Sequence, residues 1–225
     1  MNNKNNSDYL KGWDTKEHLD NFNIWNSYSN MYFNFVFGSF FENKFLLHLI
    51  KKKKSNSAID ILDYGCSSGY LLRFIQSNIN SFDKNKYLGA DISKYSINYA
   101  KNKYGKNLFR HIVDADDTFS KQFSIVYSRD TVLHQTDPYL YLKKLLNLSS
   151  KYLILRLRTR DNGPTIIDPE ISSQMHYDKF WMPYIVLNYY EFIEFIKSHN
   201  FVNKIIINRS YEVLGGQNYR FFLKN

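Results

Sequence analysis

Cysteine is nearly absent from this sequence, with one residue, Cys66, in a chain of 225. A lone thiol excludes an internal disulfide framework, and no Cys/His cluster at zinc-ligand spacing occurs, so no metal is expected. A reducing cytoplasm is the expected setting. Long apolar runs are missing too. The opening residues, MNNKNNSDYL, lack the hydrophobic centre of a signal peptide, and no stretch reaches the roughly 20 apolar residues that a membrane-spanning helix needs. Internal repeats are absent, which excludes solenoids and propellers. The three-glycine dinucleotide fingerprint and the Gly-Lys-Ser/Thr ending of a phosphate-binding loop are also missing.

Apolar residues make up 44% of the chain, enough at this length to bury one full core, so a single globular unit is expected. Thirty Lys and Arg against 21 Asp and Glu leave a net charge of +9. Such a balance suits phosphate neutralisation. Lysine is nonetheless spread along the whole chain, and the one dense run, Lys51 to Lys54, precedes a predicted strand and reads as a solvated loop.

After an aromatic-rich N-terminal stretch with helical spacing in places (Phe41, Phe45, Leu49), short apolar runs alternate with helix-like segments. AIDILDY, KYLGADI, LFRHIVDAD, FSIVYS and KYLILRLRT read as strands; GYLLRFIQSNI, SKYSINYAKNKY and PYLYLKKLLNLS read as helices. That alternation predicts a mostly parallel sheet with right-handed crossovers. A polar connection after Thr159 leads to a helix at NYYEFIEFIKSHN, and two strands joined through Gly215 and Gly216 close the chain.

Ligands of such sheets bind beyond the carboxyl ends of the strands, where strand order reverses. The stretch ILDYGCSSGYLLRFI, from Ile61 to Ile75, places small residues there, between the first strand and the first helix. Its backbone amides lie at a helix N-terminus, and its glycines, Gly65 and Gly69, are expected to exclude side chains so that a ligand can approach. Asp91 ends the second strand, where a carboxylate can accept from both hydroxyls of a ribose, and the apolar Ile92 follows it. Read from the residues alone, Asp63 and Asp91 also suit helix capping, and Asp114, Asp116 and Asp117 suit a solvated acidic turn.

Asp63, Gly65, Ser67 and Gly69 resemble the first motif of the class I methyltransferases that use S-adenosyl-L-methionine, with serine in place of the usual middle glycine. KYLGADI, HIVDADD and FSIVYSRDTVLH follow in the order of that family's later motifs, so the resemblance runs from about Ala58 to Thr159. It implies an α/β, Rossmann-like class I methyltransferase fold: a seven-stranded, mostly parallel sheet with a C-terminal antiparallel hairpin and an N-terminal helical cap. Residues 1–50 would then form a helical extension or lid, and residues 51–225 the methyltransferase domain. Asp63, Gly65, Cys66, Ser67 and Gly69 would line the cofactor, Asp91 hold its ribose, Ile92, Asp114 and Ala115 meet the adenine, and Ser128 and Arg129 flank its methionine part. Cys66 reads as a small filler rather than a nucleophile.

Methyl transfer from a sulfonium needs alignment above all, and a base only where the acceptor must lose a proton. His134, just past the fourth strand, and His176, in the later connection, are the candidates. His134 equally suits a structural role in its loop. Arg156, Arg158 and Arg160 alternate along the fifth strand and so share one face. They are either ion-paired or form an anion site, in which case Arg158 and Arg160 would bind a phosphate- or carboxylate-bearing acceptor. Tyr28, Tyr177 and Trp181 are candidate walls of the acceptor pocket. The expected activity is therefore O-methylation of a small anionic or sugar-like molecule. A nucleic-acid methyltransferase and a non-catalytic subunit are the alternatives.

Overall fold

In the computed structural model, residues 9–25, 40–52, 59–113, 119–176, 179–211 and 217–224 are described. A short turn leads to helices α1 (Lys16–Trp25) and α2 (Phe40–Lys52). The sheet begins at β1 (Ile61–Tyr64), whose four residues are all buried, as a strand covered on both faces requires. It continues through α3 (Tyr70–Asn78), β2 (Tyr87–Asp91), α4 (Lys94–Tyr104), β3 (Phe109–His111), β4 (Phe123–Arg129), α5 (Pro138–Leu148) and β5 (Ser149–Arg160). Local chemistry sets the helix starts. The Ser93 hydroxyl accepts from the Ser96 amide ahead of α4, and the Asp137 carboxylate accepts from the Leu140 amide with Pro138 opening α5.

Strand order is β3-β2-β1-β4-β5-β10-β9, with β9 (Lys204–Tyr211) and β10 (Gln217–Lys224) forming the antiparallel hairpin. β1 pairs in parallel with both β2 and β4, so the order reverses there and a crevice opens above β1. Alternate residues feed two layers. Leu62, Val126, Leu153 and Leu155 pack with α5 and α6 (Tyr189–Lys197), while Ile61, Ile125 and Ile154 pack with α2, α3 and α4.

Two regions depart from the sequence reading. The third strand, expected to run from Leu108 to Asp116, is three residues long. The connection after Thr159 holds an antiparallel pair, β6 (Ser173–His176) and β7 (Phe180–Pro183), and a two-residue strand β8 (Leu187–Asn188). β8 pairs with Thr159 and Arg160, where β5 has outrun its partner β4, whose last paired residue faces Arg156. Among the described residues, counting β8, the sheet has six parallel strands and the C-terminal hairpin, where seven strands were expected. Among the described residues no helix is long and apolar enough to cross a membrane.

Candidate active site

The loop after β1 is built on left-handed backbone, with φ of 85° at Gly65, 45° at Ser67 and 83° at Gly69. Its turn is closed by the amides of Gly65 and Cys66, which both donate to the Ala90 carbonyl at 2.8 and 3.1 Å. The glycines have a reason inside the protein as well. A Cβ on Gly65 would lie 2.2 Å from Thr131 Cγ2, and one on Gly69 2.9 Å from Phe109 Cζ, so both positions are closed by protein atoms. Gly89, unremarked in the sequence, leaves room in the same way for Cys66 Sγ, 2.9 Å from where its Cβ would stand.

Asp91 ties the loop to β2. One carboxylate oxygen accepts from the Ser67 amide at 2.7 Å and the other from the Ser93 amide at 2.8 Å. Ser93, not Asp91, caps α4, and Gly69, not Asp63, precedes α3. Asp63 lies buried at the floor and accepts from the Tyr87 hydroxyl at 2.7 Å. Burial pushes its carboxyl up to about 7, against the Tyr87 hydrogen bond and with the Asp91 charge adding to the rise. Burial, with Asp91 and Asp63 close by, also pushes the Cys66 thiol far up, so it is inert as a nucleophile.

A cavity of about 500 Å³ opens between this loop and the N-terminal turn. Its floor is formed by Asp63, Gly65, Cys66, Ser67, Asp91, Ile92 and Ile112, and its far wall by Leu10, Trp13, His18, Phe22, His134 and His176. Trp13 stands at the centre of that wall, its ring 4.9 Å from His18, 4.5 Å from His134 and 4.8 Å from His176. His134 Nδ1 lies 2.9 Å from the Pro183 carbonyl. A carbonyl only accepts, so Nδ1 carries the proton and Nε2 keeps its lone pair. Burial, mainly, holds His18 and His134 down to about 4, and it lowers His176 as well. All three rings are neutral at pH 7. Among the described residues no group of His, Cys, Asp or Glu is arranged to hold a metal ion.

Other expected residues sit elsewhere. Gly69 lies at the head of α3, outside the described lining. Ser128 is buried behind the cavity, donating to the Tyr64 carbonyl at 2.9 Å and accepting from the Thr131 hydroxyl at 2.5 Å, so it fastens β4 to β1. Arg129 lines the cavity. Arg158 donates to the Tyr184 hydroxyl and lies over that ring, and Arg160 donates to the Pro164 carbonyl. Neither is among the described lining residues, because the overhang of β5 carries both beneath the connection from 161 to 184. The described lining therefore does not include the two residues of the expected anion site. Arg156 stands 3.6 Å from Asp130. Trp181 is half exposed on the outer face of the β6–β7 pair, opposite Met175, and outside the lining. Tyr28, Asp114, Ala115 and Tyr177 lie outside the described residues. Trp13, His18, Phe22, Tyr70, Asp130 and Thr131 were missed. His18 and Phe22, four apart on α1, carried the only usable signal, a shared helix face.

Residues 55–208 match a family of methyltransferase domains. The chain belongs to that family. Among the solved structures that share the fold of this methyltransferase domain are the following three. The plantazolicin methyltransferase BpumL in complex with SAH is 15% identical, with a TM-score of 0.62 over 98% of this chain and 95% of that one. Magnesium protoporphyrin IX methyltransferase (ChlM) from Synechocystis PCC 6803 with bound SAM is 13% identical, with a TM-score of 0.62 over the whole of both chains. An S-adenosylmethionine-dependent methyltransferase from Clostridium acetobutylicum ATCC 824 is 12% identical, with a TM-score of 0.57 over 89% of this chain and 98% of that one. No curated protein matches the chain. In this methyltransferase domain the small-residue loop, Asp91 and the end of β4 meet at the switch point between β1 and β4, with the histidine wall facing them.

Proposed function

We propose that this protein binds S-adenosyl-L-methionine in the crevice above β1 and O-methylates a small molecule, in a cytoplasmic setting that suits its one buried thiol. The observation that carries the reading is the Asp91 carboxylate at the end of β2, held by the Ser67 and Ser93 amides on the cavity wall. The residues present fit the cofactor. Ser67 Oγ is buried at the same wall with no hydrogen-bond partner among the described residues and is left for a ligand. Asp91 would hold the ribose hydroxyls, Ile92 and Ile112 would lie against the adenine, and Asp63 with the Gly65–Ser67 loop would face the methionine part. The cofactor, when bound, supplies a methyl group activated by a positive sulfur. The chain's own work is to orient the acceptor, exclude water and take up its proton. Neutral His134, whose Nε2 carries no proton but whose burial makes it a weak base, is the candidate for that last task, and His176 is the neighbouring one.

Calorimetry with S-adenosylhomocysteine tests this reading. Asp91→Ala deletes charge-assisted hydrogen bonds of about 1.5–3 kcal/mol each, so affinity should fall about tenfold or more. Wild-type protein that fails to bind S-adenosylhomocysteine, or an alanine variant that binds it as well as wild type, rules the assignment out.

A further inference from the structure

The cavity lining holds an acidic group that the methyl-transfer reading leaves unused. Asp130 follows β4 on left-handed backbone, with φ of 54°, a conformation a residue other than glycine keeps only where its surroundings enforce it. Its amide donates to the Arg156 carbonyl at 2.8 Å, which anchors the turn to β5. Its carboxylate lines the cavity. The Arg129 and Arg156 Nε atoms approach Oδ2 only to 3.5 and 3.6 Å, and Oδ1 accepts no hydrogen bond from any described residue. A carboxylate oxygen can only accept, and this one is short of donors.

Resting on the proposed function, we propose that the acceptor is an uncharged molecule with an apolar body that presents an O–H or N–H donor to the Asp130 carboxylate. Three features of the cavity argue against an anion. Arg129 is the only Lys or Arg among the described lining residues, and its charge is already shared with Asp130. The three histidines around Trp13 add no positive charge at pH 7. Asp130, flanked by Arg129 and Arg156, joins Asp63 and Asp91 in a described lining with more acidic than basic groups, so an anion finds little to attract it there. The body of the acceptor is set by Leu10, Trp13 and Phe22, which offer apolar and aromatic surface.

The test uses the full-length protein saturated with S-adenosylhomocysteine and three probes of similar size. 2-Naphthol is uncharged with a donor, quinoline uncharged without one, and 2-naphthoate anionic. 2-Naphthol should bind about tenfold tighter than either of the others, the factor one hydrogen bond to a charged group gives. Asp130→Asn keeps the shape, tolerates the left-handed backbone and removes the charge. It should shrink the gap between 2-naphthol and 2-naphthoate at least about fivefold. Wild-type protein that binds 2-naphthoate as tightly as 2-naphthol, or none of the three, overturns the proposal whatever the variant's stability. So does an Asp130→Asn protein that keeps the probe order and instead loses affinity for S-adenosylhomocysteine, which would give Asp130 to the cofactor. Failure of wild-type protein to bind S-adenosylhomocysteine at all would defeat the methyltransferase reading first, and this inference with it.

Discussion

Asp63 and the histidine wall titrate in opposite senses, so removing one by mutation should expose the other. The Asp63 carboxyl is raised from 3.8 to about 7 by burial, so its contribution to stability is fully present below pH 3.8 and is lost as pH rises through 7. His18 and His134 are lowered from 6.5 to about 4, so their contribution is present above pH 6.5 and is lost as pH falls through 4. In wild-type protein the two trends offset one another between pH 4 and 7. Asp63→Asn removes only the first, and its melting temperature should fall more steeply than that of wild type as pH drops through this window. Parallel melting curves for the two proteins would show that Asp63 ionises as an ordinary carboxyl. At this scale the motif was legible in kind but not in cause. Gly65 and Gly69 stood out as small residues in a ligand loop, yet the atoms that forbid a side chain there belong to Thr131 and Phe109, 66 and 40 positions away. Spacing cannot show such contacts.

The elements with one strong period were readable, and those whose pattern is set by a neighbour were not. β1, β2 and β4 are short, largely apolar runs and β5 a longer one with an apolar centre, and each appears within about three residues of its expected place. β6 and β7 escaped because their residues alternate around a small, two-stranded surface: Met175 and Trp181 are partly exposed on one face while Met182 is fully buried on the other. What Met182 packs against is Gly12, in the N-terminal turn, where a Cβ would stand 2.3 Å from its sulfur and 3.1 Å from Phe180 Cβ. This close approach, with the Lys179–Glu17 pair at 2.8 Å, seats Trp13 against His134 and His176. Gly12→Val should therefore unseat the acceptor wall and spare the cofactor floor. Affinity for 2-naphthol should drop about tenfold or more, while affinity for S-adenosylhomocysteine changes less than about threefold, as expected where the lost contacts belong to one wall of the site. Equal losses for both ligands would mean that the N-terminal turn holds the cofactor as well.

At the scale of the whole molecule, the order of strands and helices was legible because each parallel pair needs a crossover and each crossover needs a helix. The contents of the cavity were not, since the rings at its wall come from Trp13, His18 and Phe22, 39 to 48 residues ahead of Ile61, and from His134 and His176 far beyond β1. The charge of the molecule raises the remaining question, because +9 invites RNA as an acceptor. The distribution argues otherwise. The described lining holds Arg129, no lysine, and the acidic Asp63, Asp91 and Asp130, so the excess of cations lies outside the cavity. Phosphate binding by scattered surface lysines is non-specific and releases counterions, so binding of unfractionated RNA should weaken about tenfold or more between 50 and 200 mM salt. Because that RNA would sit away from the cavity, saturating it at 50 mM salt should leave the affinity for S-adenosylhomocysteine and for 2-naphthol within about twofold. RNA that displaces 2-naphthol competitively, with a preference for one sequence or fold, would instead place the nucleic acid in the acceptor site and make it the substrate.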